Sequence, residues 1–211
     1  MAVRKVLLLP KYEKILRRKS RPVKSVNRSV RALVRDLRET LATQDGVGLA
    51  APQIGVLQRV CLVVRGTDEQ GESVEGREPE VIALINPEIT AQSHEVARGY
   101  DGCLSIPGLQ GYTNRPTTLH VRALDEVGNV IDYEFTGFDA RVAAHEIDHL
   151  DGVLFLDRLE TLDDLFYLVD GPDEEEEKVR MLPYLEVHPE YRLMPNEREG
   201  MPTRGVKTIM D

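Results

Sequence analysis

The segment His145-Glu146-Ile147-Asp148-His149 carries two imidazoles four residues apart. On a helix that spacing puts both on one face, with Cβ atoms about 5–6 Å apart, so the rings can grip one metal ion from adjacent turns. Glu146 follows the first of them and can reach a water on the metal instead of the metal itself, which is the place of a general base that later returns its proton. The same five residues also read as a helix with two surface histidines and an i, i+3 pair between Glu146 and His149. The segment alone does not choose between the two readings.

A catalytic metal needs a third protein ligand and an open position. A histidine six residues beyond the second would complete one common peptidase pattern, but Phe155 stands there. A downstream carboxylate would complete another, and Glu174 to Glu177 are the only cluster at a plausible distance; following Gly171-Pro172, they read as a solvated loop. Cys103, in Asp101-Gly102-Cys103-Leu104-Ser105, is the better candidate, because a thiolate with two imidazoles suits zinc, ferrous iron or cobalt. Cys61, inside Arg59-Val60-Cys61-Leu62-Val63-Val64, reads as a buried small hydrophobe. A third segment, Gly46-Val47-Gly48-Leu49-Ala50-Ala51-Pro52-Gln53, lets backbone approach a ligand closely at its glycines, or is an ordinary helix-to-strand turn. It lacks the Lys-Ser/Thr ending of a phosphate loop. His94, His120 and His188 have no partner spacing and read as surface or structural residues.

The elements that must position these residues follow from hydrophobic period. Val6 to Leu9 reads as a short strand or extended segment. Ser25 or Ser29 can cap a helix whose apolar positions Val30, Leu33, Val34, Leu37 and Leu41 recur at i, i+3/i+4, i+7, and which ends before Asp45-Gly46. Strands are expected over 59–64 and 81–85, joined by a long hairpin loop and the second stopped by Asn86-Pro87. A further hairpin covers 118–123 and 130–135. A helix over about 139–150, with Thr136 and Asp139 in capping-box spacing, carries the two imidazoles. Residues 162–169 read as a short helix, and the last thirty or so as an irregular tail anchored by Leu182, Tyr184 and Tyr191. Strands first and a helix late indicate an α+β fold.

The chain has 211 residues with net charge −9, 41% hydrophobic and 30% charged residues and no Trp, the composition of a soluble globular protein with an aliphatic core. Charge is segregated: residues 1–35 hold twelve basic side chains against Glu13 alone, +11, which leaves −20 on the rest. No apolar run approaches the roughly 18 residues of a membrane span, and Val6 to Leu9, closed by Pro10, is too short for a signal peptide. Two cysteines cannot build a disulfide framework, so a reducing cytoplasm is expected.

Three segments standing in this order, GVGLAAPQ, DGCLS and HEIDHLDG, resemble the peptide deformylase motifs GxGLAAPQ, EGCLS and HExDHLxG, and the likeness covers about residues 5–160. It implies an α+β fold of antiparallel sheets packed around a central metal-binding helix. It implies a catalytic domain over 1–160 and leaves 161–211 as an extension of unassigned role. The implied reaction is hydrolysis of the N-formyl group from the initiator methionine of nascent chains, releasing formate. By the same resemblance Cys103, His145 and His149 would hold one divalent metal ion, ferrous iron with zinc, nickel or cobalt as substitutes. Glu146 would move the proton, Gln53 and the Leu104 N–H would stabilise the oxyanion, and Val47, Gly48 and Gly102 would hold the substrate backbone as an added strand. The implied partners are formyl-methionyl peptides and, through the basic N-terminal segment, the ribosome, with no membrane and no DNA. Three departures stand out: Asp101 in place of the motif's glutamate, Ala144 where a glutamine often precedes the first histidine, and Arg141 near the expected wall of the methionine pocket. A zinc peptidase taking its third ligand from the acidic run, and an RNA- or ribosome-binding module with a degenerate metal site, are the other readings.

Overall fold

The computed structural model describes residues 2–69, 72–169 and 180–187. Val6 to Leu9 forms no strand; the segment is bonded through Leu7 N to Gln53 O (2.7 Å) and through Leu9 N to Ser105 O (2.9 Å), which lays it along two of the motif loops. A single-turn helix α1 (Glu13–Leu16) follows, and then α2 (Arg28–Leu41). Neither serine caps α2. The Asn27 carboxamide does so, accepting from Ser29 N at 3.0 Å and Val30 N at 3.1 Å. The apolar stripe expected for this helix, Val30, Leu33, Val34, Leu37 and Leu41, is buried.

Strands β1 (Gly48–Ala50), β2 (Val60–Arg65) and β3 (Glu80–Gln92) come next. Then follow β4 (Val96–Gly102), β5 (Leu109–Pro116), β6 (Thr118–Leu124), β7 (Val130–Thr136) and helix α3 (Gly137–Asp151). The described chain closes with β8 (Leu165–Val169), β9 (Arg180–Pro183) and a final turn of helix, α4 (Tyr184–Val187). They make two antiparallel sheets, one ordered β1-β2-β3-β6-β7 and the other β4-β5-β8-β9. The five-stranded sheet is covered on one face by α2 and on the other by α3, each lying on its own apolar cluster. The architecture is α+β, with α3 between the sheets.

Four further expectations are corrected. Asn86-Pro87 does not stop β3; Asn86 takes φ +53 and its carboxamide closes on both backbone groups of Val23 at 2.7 Å, while the ladder shifts register between Ile85 and Glu88. A bulge thus absorbs the proline that would otherwise end the pairing. The Thr136 side chain makes no cap bond to α3. Asp139 accepts instead from Gly66 N at 3.0 Å, so the expected box is spent on tying the helix to the loop after β2. Residues 162–169 are a 3-10 turn (Leu162–Asp164) and then β8, whose Leu-Phe-Tyr-Leu-Val sequence pairs with β5. The tail is regular at 180–187, where Tyr184 is buried and stacks on Tyr167 at 5.3 Å. Tyr191, His188, the side chain of Leu182 and the run Glu174 to Glu177 lie outside the described residues.

Candidate metal centre

Helix α3 is buried almost all round, from Asp139 to Leu150. A helix so placed presents side chains inward whichever way they point, and its histidines face the loop that leaves β4. Cys103 Sγ lies 3.2 Å from His149 Nε2, and His149 Nε2 lies 3.2 Å from His145 Nε2. One donor atom from each of the three residues falls within 4.8 Å of the others.

A carboxylate sets the first ring. Asp101 Oδ1 is 2.6 Å from His145 Nδ1, so Nδ1 carries the hydrogen and Nε2 keeps a lone pair facing His149 and Cys103. Burial alone would raise the Asp101 pKa, but His145 and Arg115 outweigh it and hold the carboxyl well below the usual range. Arg115 is itself 3% exposed and bridges Asp101 (2.6 Å) and Asp148 (3.0 Å), and Arg158 closes on the other oxygen of Asp148 at 2.5 Å. Burial pulls the His145 pKa down, yet Asp101 and Cys103 carry it well above its ordinary value. A metal cation satisfies that preference for positive charge as a proton does. Burial and the neighbouring His145 push His149 well below its ordinary pKa, leaving it neutral as a ligand must be. A thiol and two imidazoles with facing lone pairs fit a divalent cation.

Glu146 lies beside this set, 4% exposed, with Oε2 lacking a hydrogen-bond partner among the described residues. Burial, reinforced by the charge of Asp101 and opposed by His145 and Arg115, raises its pKa to about 7. A carboxyl poised near neutrality in a cleft can both take and return a proton. Gly48 is required here, because a Cβ on it would stand 2.4 Å from Glu146 Oε1. Gln53 is aimed by its own loop: Oε1 accepts from Ala50 N at 2.7 Å, which turns Nε2 toward Ser105 Oγ (3.3 Å) and Cys103 Sγ (3.6 Å). A cavity of about 1140 Å³ opens over these groups, with Val47, Gly48, Gly102, Leu104 and Glu146 in its wall.

The polypeptide deformylase family profile matches residues 3–164. The chain belongs to the polypeptide deformylase family. The peptide deformylase of Thermomicrobium roseum is 44% identical over 177 residues, covering 84% of this chain and 96% of the relative. Among solved structures, the peptide deformylase of Ehrlichia chaffeensis in complex with actinonin is 37% identical with a TM-score of 0.67, covering 76% of this chain and 91% of that one. A Met-Ala-Ser-bound class I type b peptide deformylase from Acinetobacter baumannii is 32% identical with a TM-score of 0.68, covering 75% and 99%. As a peptide deformylase the chain is an amide hydrolase that removes the N-formyl group from new polypeptides, and its substrates are formyl-methionyl peptides.

Within this deformylase the structure gathers all nine residues singled out from the motifs around one cleft. Cys61 is fully buried in the apolar cluster under α3, as its sequence context indicates. His94 and His120 are exposed. What the motifs did not reveal is the support around them. Asp101, though one methylene shorter than the motif's glutamate, reaches both His145 and Arg115. Arg141 is buried and spends its guanidinium on the carbonyls of Ala97 (2.7 Å), Gly99 (3.2 Å) and Thr113 (3.3 Å), so it ties α3 to the β4–β5 hairpin. A charge one turn before the first histidine, on a helix otherwise apolar on that side, was the available signal for that tie. Leu168, from β8, also lines the cavity and had no signal in the motifs.

Proposed function

We propose that Cys103, His145 and His149 hold one divalent cation in the working enzyme, ferrous iron with zinc, nickel or cobalt as substitutes, and that the residues around it carry out the deformylation. The observation that carries this is the convergence of the three donors beside the unpaired carboxylate oxygen of Glu146. When bound, such a cation polarises the formyl carbonyl and brings the pKa of water down toward about 7. Glu146 takes a proton from the attacking water. The Gln53 side-chain N–H and the Leu104 backbone N–H receive the oxyanion that forms at the formyl carbon; such a donor is worth about 10²–10³ in rate. Glu146 then delivers its proton to the leaving nitrogen, giving formate and a free amino terminus.

Substrate backbone is held as an added strand. β1 and β4 are each at the edge of their sheet, and Val47, Gly48 and Gly102 present those edges to the cavity. An extended peptide between them meets unpaired backbone on both sides. The methionine side chain passes to the preceding turns of α3, where Phe138 and Val142 line the wall. The Acinetobacter relative was solved with Met-Ala-Ser bound, a peptide of the kind this cleft would hold.

In this reading residues 1–160 are the catalytic domain and 161–211 an extension that lends β8 to the second sheet. The compartment is the cytoplasm, in keeping with two free thiols; no helix of the described residues is long and apolar enough to cross a membrane. Lys14, Arg18, Arg21, Lys24, Arg28 and Arg35 are exposed and form no ion pair among the described residues, which supports docking on ribosomal RNA. Ribosome co-sedimentation that weakens steeply with salt is the expected result, and salt-insensitive binding would oppose it. For the site itself the test is metal content and formate release on one sample of wild type, Cys103→Ser and Glu146→Ala. Cys103→Ser is expected to lose metal, and Glu146→Ala to keep metal and lose turnover.

A further inference from the structure

We infer that the cavity reads the charges of the two residues after the formyl-methionine, Lys5 favouring an acidic second residue and Glu69 with Glu72 favouring a basic third. The inference rests on the added-strand reading of the peptide.

Side chains of an added strand alternate between the two faces of the sheet it joins. Those faces are distinct here. Ala50 of β1 packs in the cluster under α3, Leu49 in the cluster under α2, and a Cβ on Gly48 would meet Glu146 of α3. Leu49 and Ala50 are fully buried, so a peptide whose formyl group lies at Glu146 must leave along Gly48, Val47 and Gly46. Its methionine side chain takes the α3 face. The second side chain then points to the α2 face and the third returns to the α3 face, farther out.

Each face has charged residues in the cavity wall beside that track. On the α2 face, Arg4 is fixed to Asp36 by two bonds (2.9 and 2.8 Å) and to Thr40 Oγ1 by its N–H (2.8 Å). This holds Lys5 in the cavity wall, exposed and without an ion pair among the described residues. On the other face, β2 runs antiparallel to β1, so the loop after Arg65 lies beside the exit. That loop brings Glu69 and Glu72 to the wall, and the charge of Glu69 reaches Arg141 of α3. Asp45 is also in the wall, next to Gly46 on the backbone track.

The test compares formyl-Met-Glu-Lys-amide with formyl-Met-Lys-Glu-amide, which share composition and net charge and differ only in order. On metal-loaded enzyme at low salt, kcat/KM is expected to favour the Glu-Lys order by about three- to tenfold, as two exposed charge pairs allow, and the ratio should shrink in high salt. Lys5→Glu should pull the ratio toward one through the second position, and Glu69→Lys with Glu72→Lys through the third. Equal rates for the two peptides, a preference for Lys-Glu, or a ratio that these variants leave unchanged would overturn the inference while leaving deformylation intact. Absence of formate from formyl-Met-Ala-Ser-amide would instead remove the reading beneath it.

Discussion

Asp101 orients the His145 ring and neutralises a buried guanidinium at once, through bonds of 2.6 Å to His145 and 2.7 Å to Arg115. Truncating one member of such a network leaves the others charged and unpaired, so Asp101→Asn is expected to cost about 3–5 kcal/mol near neutral pH. The sign of the pH dependence follows from the depressed carboxyl. Its stabilisation is complete above the unfolded value of about 3.9 and fades as pH falls through that value toward the folded one. Denaturant unfolding from pH 7 to pH 3, with chelator present throughout, should therefore show the gap between wild type and Asp101→Asn closing as pH drops. A gap that widens in acid would contradict the assignment. Glu146 is the other decisive residue; Glu146→Ala should lower kcat by about 10²–10⁴ at unchanged metal content, measured by formate release.

At the scale of elements, the close approach of β1 to α3 leaves no room for a side chain at position 48. Gly48→Ala should displace Glu146 and depress turnover more than it depresses melting temperature. Gly152 ends α3 in the left-handed region at φ +75, where a Cβ would also stand 2.4 Å from Arg17 O. Gly152→Ala should therefore cost more than the roughly 1 kcal/mol of a cap lost by Asn27→Ala, in the same unfolding assay. α2 was legible because its apolar stripe is long and regular. β4 and β5 were not, because Gly99, Gly102, Gly111 and Pro116 interrupt their alternation and their pairing is decided by partners distant in sequence. β8 reads as helix in the sequence for a different reason: five consecutive apolar residues have no period that tells which element they form.

For the whole molecule, two sheets present their free edges to one cleft, and a helix buried between them carries His145, Glu146 and His149 to it. The candidate residues that meet at the cleft could be read from three short motifs, since the spacing that suits a metal ion is a local property of sequence. The network of Asp101, Arg115, Asp148 and Arg158 could not, since it joins β4, β5, α3 and the turn at Phe155–Arg158 only after folding. The +11 of residues 1–35 is likewise partly consumed by folding: Arg4, Arg17 and Lys19 pair with Asp36, Asp157 and Asp151, while exposed Lys14, Arg18, Arg21, Lys24, Arg28 and Arg35 form no ion pair among the described residues. The central claim is a Cys103, His145 and His149 metal centre that deformylates. Its most direct measurement is formate released from a formyl-Met peptide by anaerobically purified enzyme, with bound metal counted on the same sample. One metal per chain and formate matched by free amine, both lost in Cys103→Ser, are predicted; a Cys103→Ser enzyme with full, tightly held metal and wild-type turnover would contradict it.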